Sequence, residues 1–414
     1  MNTSAFQISN RSVRKKRVLF ISQVYSPSHD ATSQISADLA TGLLDLGWDV
    51  HVLTNQVNYM TGERLPRHEI LDGVQVWRTP CVPLRRENPL ARIAIYGGFF
   101  VTSAPALALV PKPDVAIYLS TPPLVAWSGA ALRALGKVKT AYWAQDVYPE
   151  APVQMRIFKN SLLKRMLFFL DRTITRRMDE IVVIGDEMEL VFDKKGILKE
   201  KITTIHNWSV VDFKSITRAK NSLLTANGLL DKFVVQYSGN MGVAHDFTPI
   251  CDAMVNTAVD LDIHWLLIGE GKRKKEVADT VSMHMLSNVT MMPYQPIEEL
   301  SISLTAADVA LVSLRPNLEG LVVPSKLYGA MAAGLPIIFI GSPKGEVARI
   351  LERHTCGLTA ADGEKLVQAV RRLKDDSDLR KKMGENARAA YDAHYAREHG
   401  IRKFHELLTR MLDK

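Results

Sequence analysis

Cysteine is the scarcest chemistry in this chain. Its three cysteines, Cys81, Cys251 and Cys356, stand far apart, at no spacing that frames a zinc site or a disulfide scaffold. A reducing, cytoplasmic setting is the expectation. No His, Cys and carboxylate residues cluster at ligand spacing, so no metal is expected. Asp260-Leu261-Asp262 has the Asp-x-Asp form that can hold a cation, but it precedes a strand-like run at the end away from any cleft and reads as a turn. Long uninterrupted apolar runs are missing too. The stretch 93–110 is broken by Gly97-Gly98, Thr102-Ser103 and Pro105 and sits at the short limit for a bilayer span, so it reads as buried or membrane-dipping helix. The basic run 11–17 leads into Val18-Leu19-Phe20-Ile21, but Ser22 and Gln23 follow before a signal-peptide core develops. Motifs that stack RNA bases are absent, and no nucleic-acid partner is expected.

What remains is a long, basic chain rich in apolar residues. Its 414 residues and 47% hydrophobic content exceed one ordinary core and predict two packed domains. A formal charge of +8 points to an anionic partner: nucleic acid, an acidic membrane or a phosphorylated small molecule. Strand-type runs at 17–22, 50–54, 74–77, 115–119, 140–143, 180–184 and 202–205 have helical stretches between several of them, the pattern of a parallel sheet. Apolar periodicity lapses over 214–227, and a second alternation follows at 233–237, 263–268, 289–292, 309–314 and 337–340. The expected fold class is α/β, with two doubly wound sheets in series. Residues 1–207 form the first domain, 208–232 a connector, 233–392 the second domain, and 393–414 a charged helix packing back on the outside.

Open parallel sheets bind ligands beyond the carboxyl ends of their strands. In the second half those ends are Ser238-Gly239-Asn240-Met241-Gly242, Gly269-Glu270-Gly271-Lys272, Pro293-Tyr294 and the 315–324 loop, which feeds VVPSKLYGAMAAGLPI. Glycines let main-chain amides approach a phosphate, and Lys272 and Lys326 add charge, so the pooled loops suggest a nucleoside-diphosphate site. Singly, each is also an ordinary strand-to-helix turn. Pro324 and Ser325 are helix-start residues, and Gly334 followed by Pro336 is a stop. Ser325 and Lys326 are therefore either phosphate ligands or a capped, solvated helix end. Gly329 costs a helix interior about 1 kcal/mol against Ala; close approach of a ribose or a neighbouring backbone explains it, and so does helix packing alone.

Taken in order, RVLFISQVYSPSHDATSQ, LSTPPLVAW, YWAQDVYPE, HNW, YSGNMGVAHD, LIGEG, MPYQP, AADVALVSL and VPSKLYGAMAAGLPIIFIG resemble the glycosyltransferase family 4 enzymes of the GT-B fold. The likeness spans nearly the whole chain and is nearest to enzymes of bacterial exopolysaccharide and colanic-acid-type pathways. It implies two facing Rossmann-like domains, with an acceptor held by the first, the nucleotide of an NDP-sugar held by the second, and transfer with retention of configuration. The NDP-sugar is then a donor substrate, and no separate cofactor is implied. A polyprenyl-diphosphate-linked acceptor and a cytoplasmic enzyme seated on the inner face of the membrane follow from the same likeness. The residues themselves add that Leu163, Met166, Leu167, Leu170 and Ile174 recur at helical spacing among Arg156, Lys159, Lys164, Arg165, Arg172, Arg176 and Arg177. That is either a helix for an acidic membrane or a core helix with a solvated basic face.

Residue by residue the likeness has gaps. The family's paired glutamates fall at Leu321 and Gly329, with Glu319 two positions early. Its phosphate-binding Arg and Lys fall at Asn240 and His245, and its first-domain histidine in Ser120-Thr121-Pro122-Pro123. Carried over with those gaps, the donor site comprises Gly239, Asn240, Gly242, Gly269, Glu270, Gly271, Lys272, Tyr294, Pro324, Ser325, Lys326 and Gly329. The chemistry falls to Asp146, Lys326 and His245. Lys326 would hold the departing diphosphate; His245 with Asp246 would be an oriented imidazole beside it, or a helix cap. Asp146, in AQDVYPE, would orient or deprotonate an acceptor hydroxyl, or cap a turn. His29 and Asp30 would face the same cleft or merely shape the first loop. Two rivals stay open: a sugar-nucleotide epimerase or hydrolase on the same fold, and a non-catalytic basic protein that binds membrane or nucleic acid.

Overall fold

A computed structural model describes residues 14–413 apart from 29, 59–61, 82–88, 135–137, 159, 212 and 214–215. Its strands form two sheets. The first contains β1 (Arg17–Ile21), β2 (Asp49–Asn55), β3 (His68–Leu71), β4 (Val74–Thr79), β5 (Val115–Leu119), β6 (Lys139–Ala144), β7 (Glu180–Val183) and β8 (Ile202–Thr204), in the order β3-β4-β2-β1-β5-β6-β7-β8. The second contains β9 (Phe233–Ser238), β10 (Ile263–Ile268), β11 (Val289–Met292), β12 (Val309–Ser313), β13 (Ile337–Ile340) and β14 (Gly357–Ala360), in the order β11-β10-β9-β12-β13-β14. Every strand pairs in parallel with its neighbours except β3, which runs antiparallel to β4. Central strands read as unbroken apolar runs because helices cover both faces: Val18, Leu19, Phe20 and Ile21 of β1 are fully buried. Strand order reverses between β1 and β5 and between β9 and β12, the two places where such sheets open a ligand crevice.

Two strands depart from the sequence expectation. β3 alternates exposed and half-buried positions, and it turns into β4 through Asp72-Gly73, both with positive φ (49° and 84°). That is the geometry of a tight Asp-Gly hairpin. β14 is likewise only half-buried. The 208–232 stretch is also more than a connector. Within it the helix Ser222–Ala226 is capped by Asn221, and Leu224 and Leu229 are buried in an apolar cluster with Val234 and Leu266 of the second sheet.

The segment expected to form a basic amphipathic helix does so over Ser161–Thr175. Leu163 and Met166 are exposed, while Ile174 is buried; Lys159 lies outside the described residues. The apolar stretch expected to dip or bury forms the helix Pro89–Ala106, and no helix among the described residues is long and apolar enough to cross a membrane.

The units meet along a seam of main-chain and charged contacts. Asp146 bridges Val322 in antiparallel fashion, and the Val147 N–H donates to Leu321 O at 2.9 Å. Across the seam, the Glu346 carboxylate accepts from the Glu187 N–H at 2.8 Å, capping the helix Asp186–Lys194 from the other unit. Arg349 pairs with Glu187 at 2.5 Å.

After the helix Ser377–Ala390 the chain makes a π turn at Tyr391–Tyr395 and returns to the first unit as the helix Arg397–Asp413. There Arg397 pairs with Asp38, the Trp48 indole N–H donates to His405 Nδ1, and Phe404 packs edge-on against Trp143 at 4.8 Å between centroids. Removing that ring leaves a void against a fully buried tryptophan, so Phe404→Ala is expected to cost about 3–5 kcal/mol. Urea unfolding checks the cost, and limited proteolysis should show new cleavage after Ala396.

Candidate functional site

Two strand ends of the second unit, those of β9 and β10, pack main chain against main chain, and only glycine permits it. Gly239, Gly269 and Gly271 have φ of 128°, 137° and 147°. A Cβ on Gly269 would stand 2.1 Å from Gly239 O, and one on Gly271 2.4 Å from Met241 O. The loops are stitched by Gly239 N–H to Ile268 O, Met241 N–H to Glu270 O and Arg273 N–H to Met241 O, at 2.8, 2.8 and 2.9 Å. The glycines expected to gather on one rim do gather there.

Lys326 arrives from the far side of the rim. It begins the seven-residue helix Lys326–Ala332, and its stem lies across Gly239, where a Cβ would come within 2.7 Å of the lysine Cε. The ammonium stands 3.4 Å from Asn240 O, 3.3 Å from His245 Nε2 and 5.0 Å from the Tyr237 ring centroid. Among the described residues no carboxylate pairs with it, and burial lowers its pKa to about 8. Asn240 and His245, neither of them charged, thus have beside them an ammonium from more than eighty positions along the chain.

His245 is buried, and its Nδ1 faces Ser313 O. Nδ1 therefore carries the hydrogen, leaving Nε2 to accept from Lys326. Burial first, then the Lys326 charge, holds its pKa near 3, so the ring is neutral at any working pH. The proposed His245–Asp246 partnership does not form. Asp246 Oδ1 instead accepts from the Thr248 N–H at 3.1 Å at the start of the next helix.

The other expected residues divide. Ser325 makes no capping hydrogen bond, so its hydroxyl is not used as a helix cap. A Cβ on Gly329 would meet only Leu304 Cδ1, at 3.8 Å; no protein contact demands this glycine. Pro324 is buried beside them. Glu270 pairs with Lys274, and its carbonyl lies 3.5 Å from the Tyr294 hydroxyl, whose half-exposed ring stands at the rim. Lys272 is exposed and sits two residues ahead of the helix Lys274–Met283, not at its start. Asn240 lies against Gly242, its Nδ2 3.0 Å from the position of a Cβ there.

On the first unit, the Asp146 N–H donates to Ser120 Oγ at 3.2 Å, and burial raises its carboxyl pKa to about 6. Asp30 shapes the loop: its Oδ1 accepts from the Ser33 N–H at 3.0 Å as a helix cap. His29 lies outside the described residues. Glu319 is away from the glycines, against Gly345, with a pKa pushed up to about 7 by burial and then by Glu187. Asp260 and Asp262 are engaged by Arg371 and Lys374. An open groove of about 850 Å³ lies elsewhere, under the helix Ser377–Ala390. Its Arg380 and Arg388 already donate to main-chain carbonyls. Sequence pattern also passed over Arg315, whose N–H donates to Ala244 O at 2.9 Å and whose charge reaches His245. Its place just after β12 was the available signal.

Against known proteins, residues 32–208 match the family described as "Glycosyl transferase 4-like domain" and residues 229–390 that described as "Glycosyl transferases group 1". WbjE of Pseudomonas aeruginosa, named a probable glycosyltransferase, is 27% identical over 283 residues, covering 67% of this chain and 69% of that one. WcaI of Escherichia coli strain K12, whose name assigns it provisionally to colanic acid biosynthesis as a glycosyl transferase, is 24% identical over 343 residues, or 79% and 84% of the two chains. The Anabaena protein HepE, solved with UDP and glucose, shares the fold at a TM-score of 0.72 and 14% identity over 95% of this chain and 100% of that one.

The depressed Lys326 pKa has a measurable consequence. Above pH 8 the free site loses its ammonium, so an anion that relies on that charge must take up a proton as it binds, and the affinity of a nucleoside diphosphate used as the probe should weaken about tenfold per pH unit. Lys326→Arg stays charged throughout. Titration calorimetry between pH 7 and 10 should show a steep dependence in the wild type and a flat one in Lys326→Arg.

Proposed function

Because the chain belongs to the glycosyltransferase family 4 enzymes of the GT-B fold, we propose that it moves a sugar from a nucleoside-diphosphate donor to a lipid-linked saccharide in exopolysaccharide or surface-polysaccharide assembly, with retention of configuration. The observation that carries this reading is the Lys326 ammonium, laid over the Gly239 loop beside a neutral imidazole and with no carboxylate against it. A partly desolvated cation without a counter-ion is set to receive an anion from solution. As the bond to the anomeric carbon breaks, charge gathers on the leaving diphosphate. Lys326 and the Asn240 and Gly242 amides, the two of that loop not spent on the 268–270 main chain, stabilise it there. His245 fixes the direction of the ammonium and takes no proton itself.

The base of the nucleotide stacks near Tyr294, and the room beside Gly329 takes the ribose. HepE was solved with UDP-glucose as well as UDP, which makes uridine nucleotides the first donors to try. Asp146, ionised above about pH 6, sits where the first unit's loop meets the 321–322 main chain, and it orients the acceptor hydroxyl. The NDP-sugar is the donor substrate, and no separate cofactor or metal enters the scheme.

The helix Ser161–Thr175 seats the enzyme on the cytoplasmic face of the inner membrane, where a polyprenyl-linked acceptor resides. Leu162, Phe169 and Met166 are 74%, 69% and 50% exposed, which a core helix would not allow. Lys164 and Arg165 stand among them to meet acidic headgroups.

A thermal-shift panel of UDP-, GDP- and dTDP-sugars tests the donor reading. One series should stabilise the protein, by about 2.7 kcal/mol at a hundred times Kd, and Lys326→Ala should abolish the effect. Stabilisation by none of them, with Lys326→Ala indistinguishable from wild type, sinks it. For the membrane, flotation with phosphatidylglycerol vesicles should carry the wild type. Leu162→Asp with Phe169→Asp should weaken that binding by about tenfold or more, given ~1.5–3 kcal/mol per buried side chain; equal flotation of both proteins counts against it.

A further inference from the structure

The donor reading leaves a shortage of charge. A nucleoside diphosphate brings several negative charges, His245 is neutral, and Asn240 stands where a cation is absent. One ammonium that loses its proton near pH 8 is a thin answer. Lys272 is exposed, and its side chain makes no hydrogen bond or ion pair among the described residues.

Arg315 is differently placed. β12 ends at Ser313, and the next residues are fastened to the glycine loop rather than released to solvent. Ser313 Oγ accepts from the Asp246 N–H and donates to Asp246 O, both at 2.9 Å. Ser313 O receives the His245 Nδ1 hydrogen. The Arg315 N–H donates to Ala244 O at 2.9 Å, while Leu314 is tied to Ile340. These bonds carry the Arg315 backbone to the 242–245 segment, and Pro316 then turns the chain away. The side chain is half-buried, yet among the described residues no hydrogen bond or ion pair reaches its guanidinium. A structural arginine in such a position ordinarily holds carbonyls or a carboxylate, because an unpartnered guanidinium taken from water is costly.

We propose that Arg315 is the second cationic ligand of the donor diphosphate, delivered from the β12 loop to the face of the glycine loop that Lys326 reaches from its helix. The assignment rests on the glycosyltransferase reading above. Its chemistry complements that of Lys326: the guanidinium offers a planar fork to two phosphate oxygens, where the ammonium offers a point charge. The fork gives Arg315 a particular task, the recognition of a diphosphate over a monophosphate.

Calorimetry with UDP and UMP, GDP and GMP, and dTDP and dTMP tests it on wild type, Arg315→Ala, Arg315→Lys and Lys272→Ala. The wild type should prefer one diphosphate over its monophosphate. Arg315→Ala should lose about tenfold or more on that diphosphate and little on the monophosphate, with an unliganded melting point unchanged. Arg315→Lys should recover part of the loss, and Lys272→Ala should keep the diphosphate preference. Retention of the full diphosphate preference by Arg315→Ala and Arg315→Lys overturns the assignment while leaving the donor reading intact. Equal losses on both nucleotides, or a preference that disappears with Lys272→Ala instead, also overturn it. A wild type that binds no nucleoside diphosphate overturns the donor reading and this assignment with it.

Discussion

An ammonium held in a partly buried niche with no carboxylate to answer it is the constraint from which the second unit's rim follows. Lys326 can lie where it does only if position 239 has no side chain, and the Gly239 carbonyl can sit where it does only if position 269 has none. The same placement decides the state of His245. A second positive charge 3.3 Å from the ammonium is not tolerable in a desolvated site, so the imidazole gives its one hydrogen to Ser313 O and keeps a lone pair for the lysine. A loop that carries its own cation would need none of these conditions. Here charge and loop come from different parts of the chain, and the glycines, the tautomer and the Tyr237 ring beneath the ammonium are the terms on which they meet.

The seam between the units follows a related logic. It is not made by apolar faces alone: acidic side chains stand at the starts of helices that belong to the opposite unit or loop. Glu346 answers the N–H groups opening the helix Asp186–Lys194, and Glu319 lies at Gly345, which opens the helix Glu346–His354. Helix N-termini favour such groups electrostatically. Burial first, and then the crowding of Glu187, Glu319 and Glu346, makes the last two bind protons more readily than free glutamates. Arg349 relieves part of that crowding by pairing with Glu187. Glu319, the acidic residue that sequence places beside the donor helix, thus lies against Gly345 and away from the glycine rim.

Much of the fold is legible in the sequence because doubly covered strands write themselves as short apolar runs. Runs 115–119, 263–268, 289–292 and 337–340 coincide end to end with β5, β10, β11 and β13. The misses lie at edges. β3 and β14 are only half-buried and carry no such run, although Asp72-Gly73 was a readable hairpin signal. Leu223, Leu224 and Leu229 were too few to reveal a periodicity, yet they are enough to fix the interdomain stretch to the second sheet. In the site, the glycines were legible because only a backbone reason explains them. The destination of the Lys326 side chain was not, since its partners at 240 and 245 are brought to it by the packing of β9 against β12. The neutrality of His245 was hidden for the same reason: its controlling partner is a carbonyl at position 313, and carbonyls leave no trace in sequence.

The polypeptide passes between the units twice, once after β8 and once through the π turn, and the two passages are fastened to each other. Trp208 fills the space that a side chain on position 400 would need, and the Tyr391 hydroxyl reaches Ser209 O at 3.4 Å. Two pins set side by side define an axle. Translation and twist between the units are thereby suppressed, and one angular coordinate is left. Any parting of the seam at Asp146 and Val322 is a swing about that axle. The loop carrying the carboxylate and the loop feeding the ammonium are thus held in register by two crossings of the chain far from either of them.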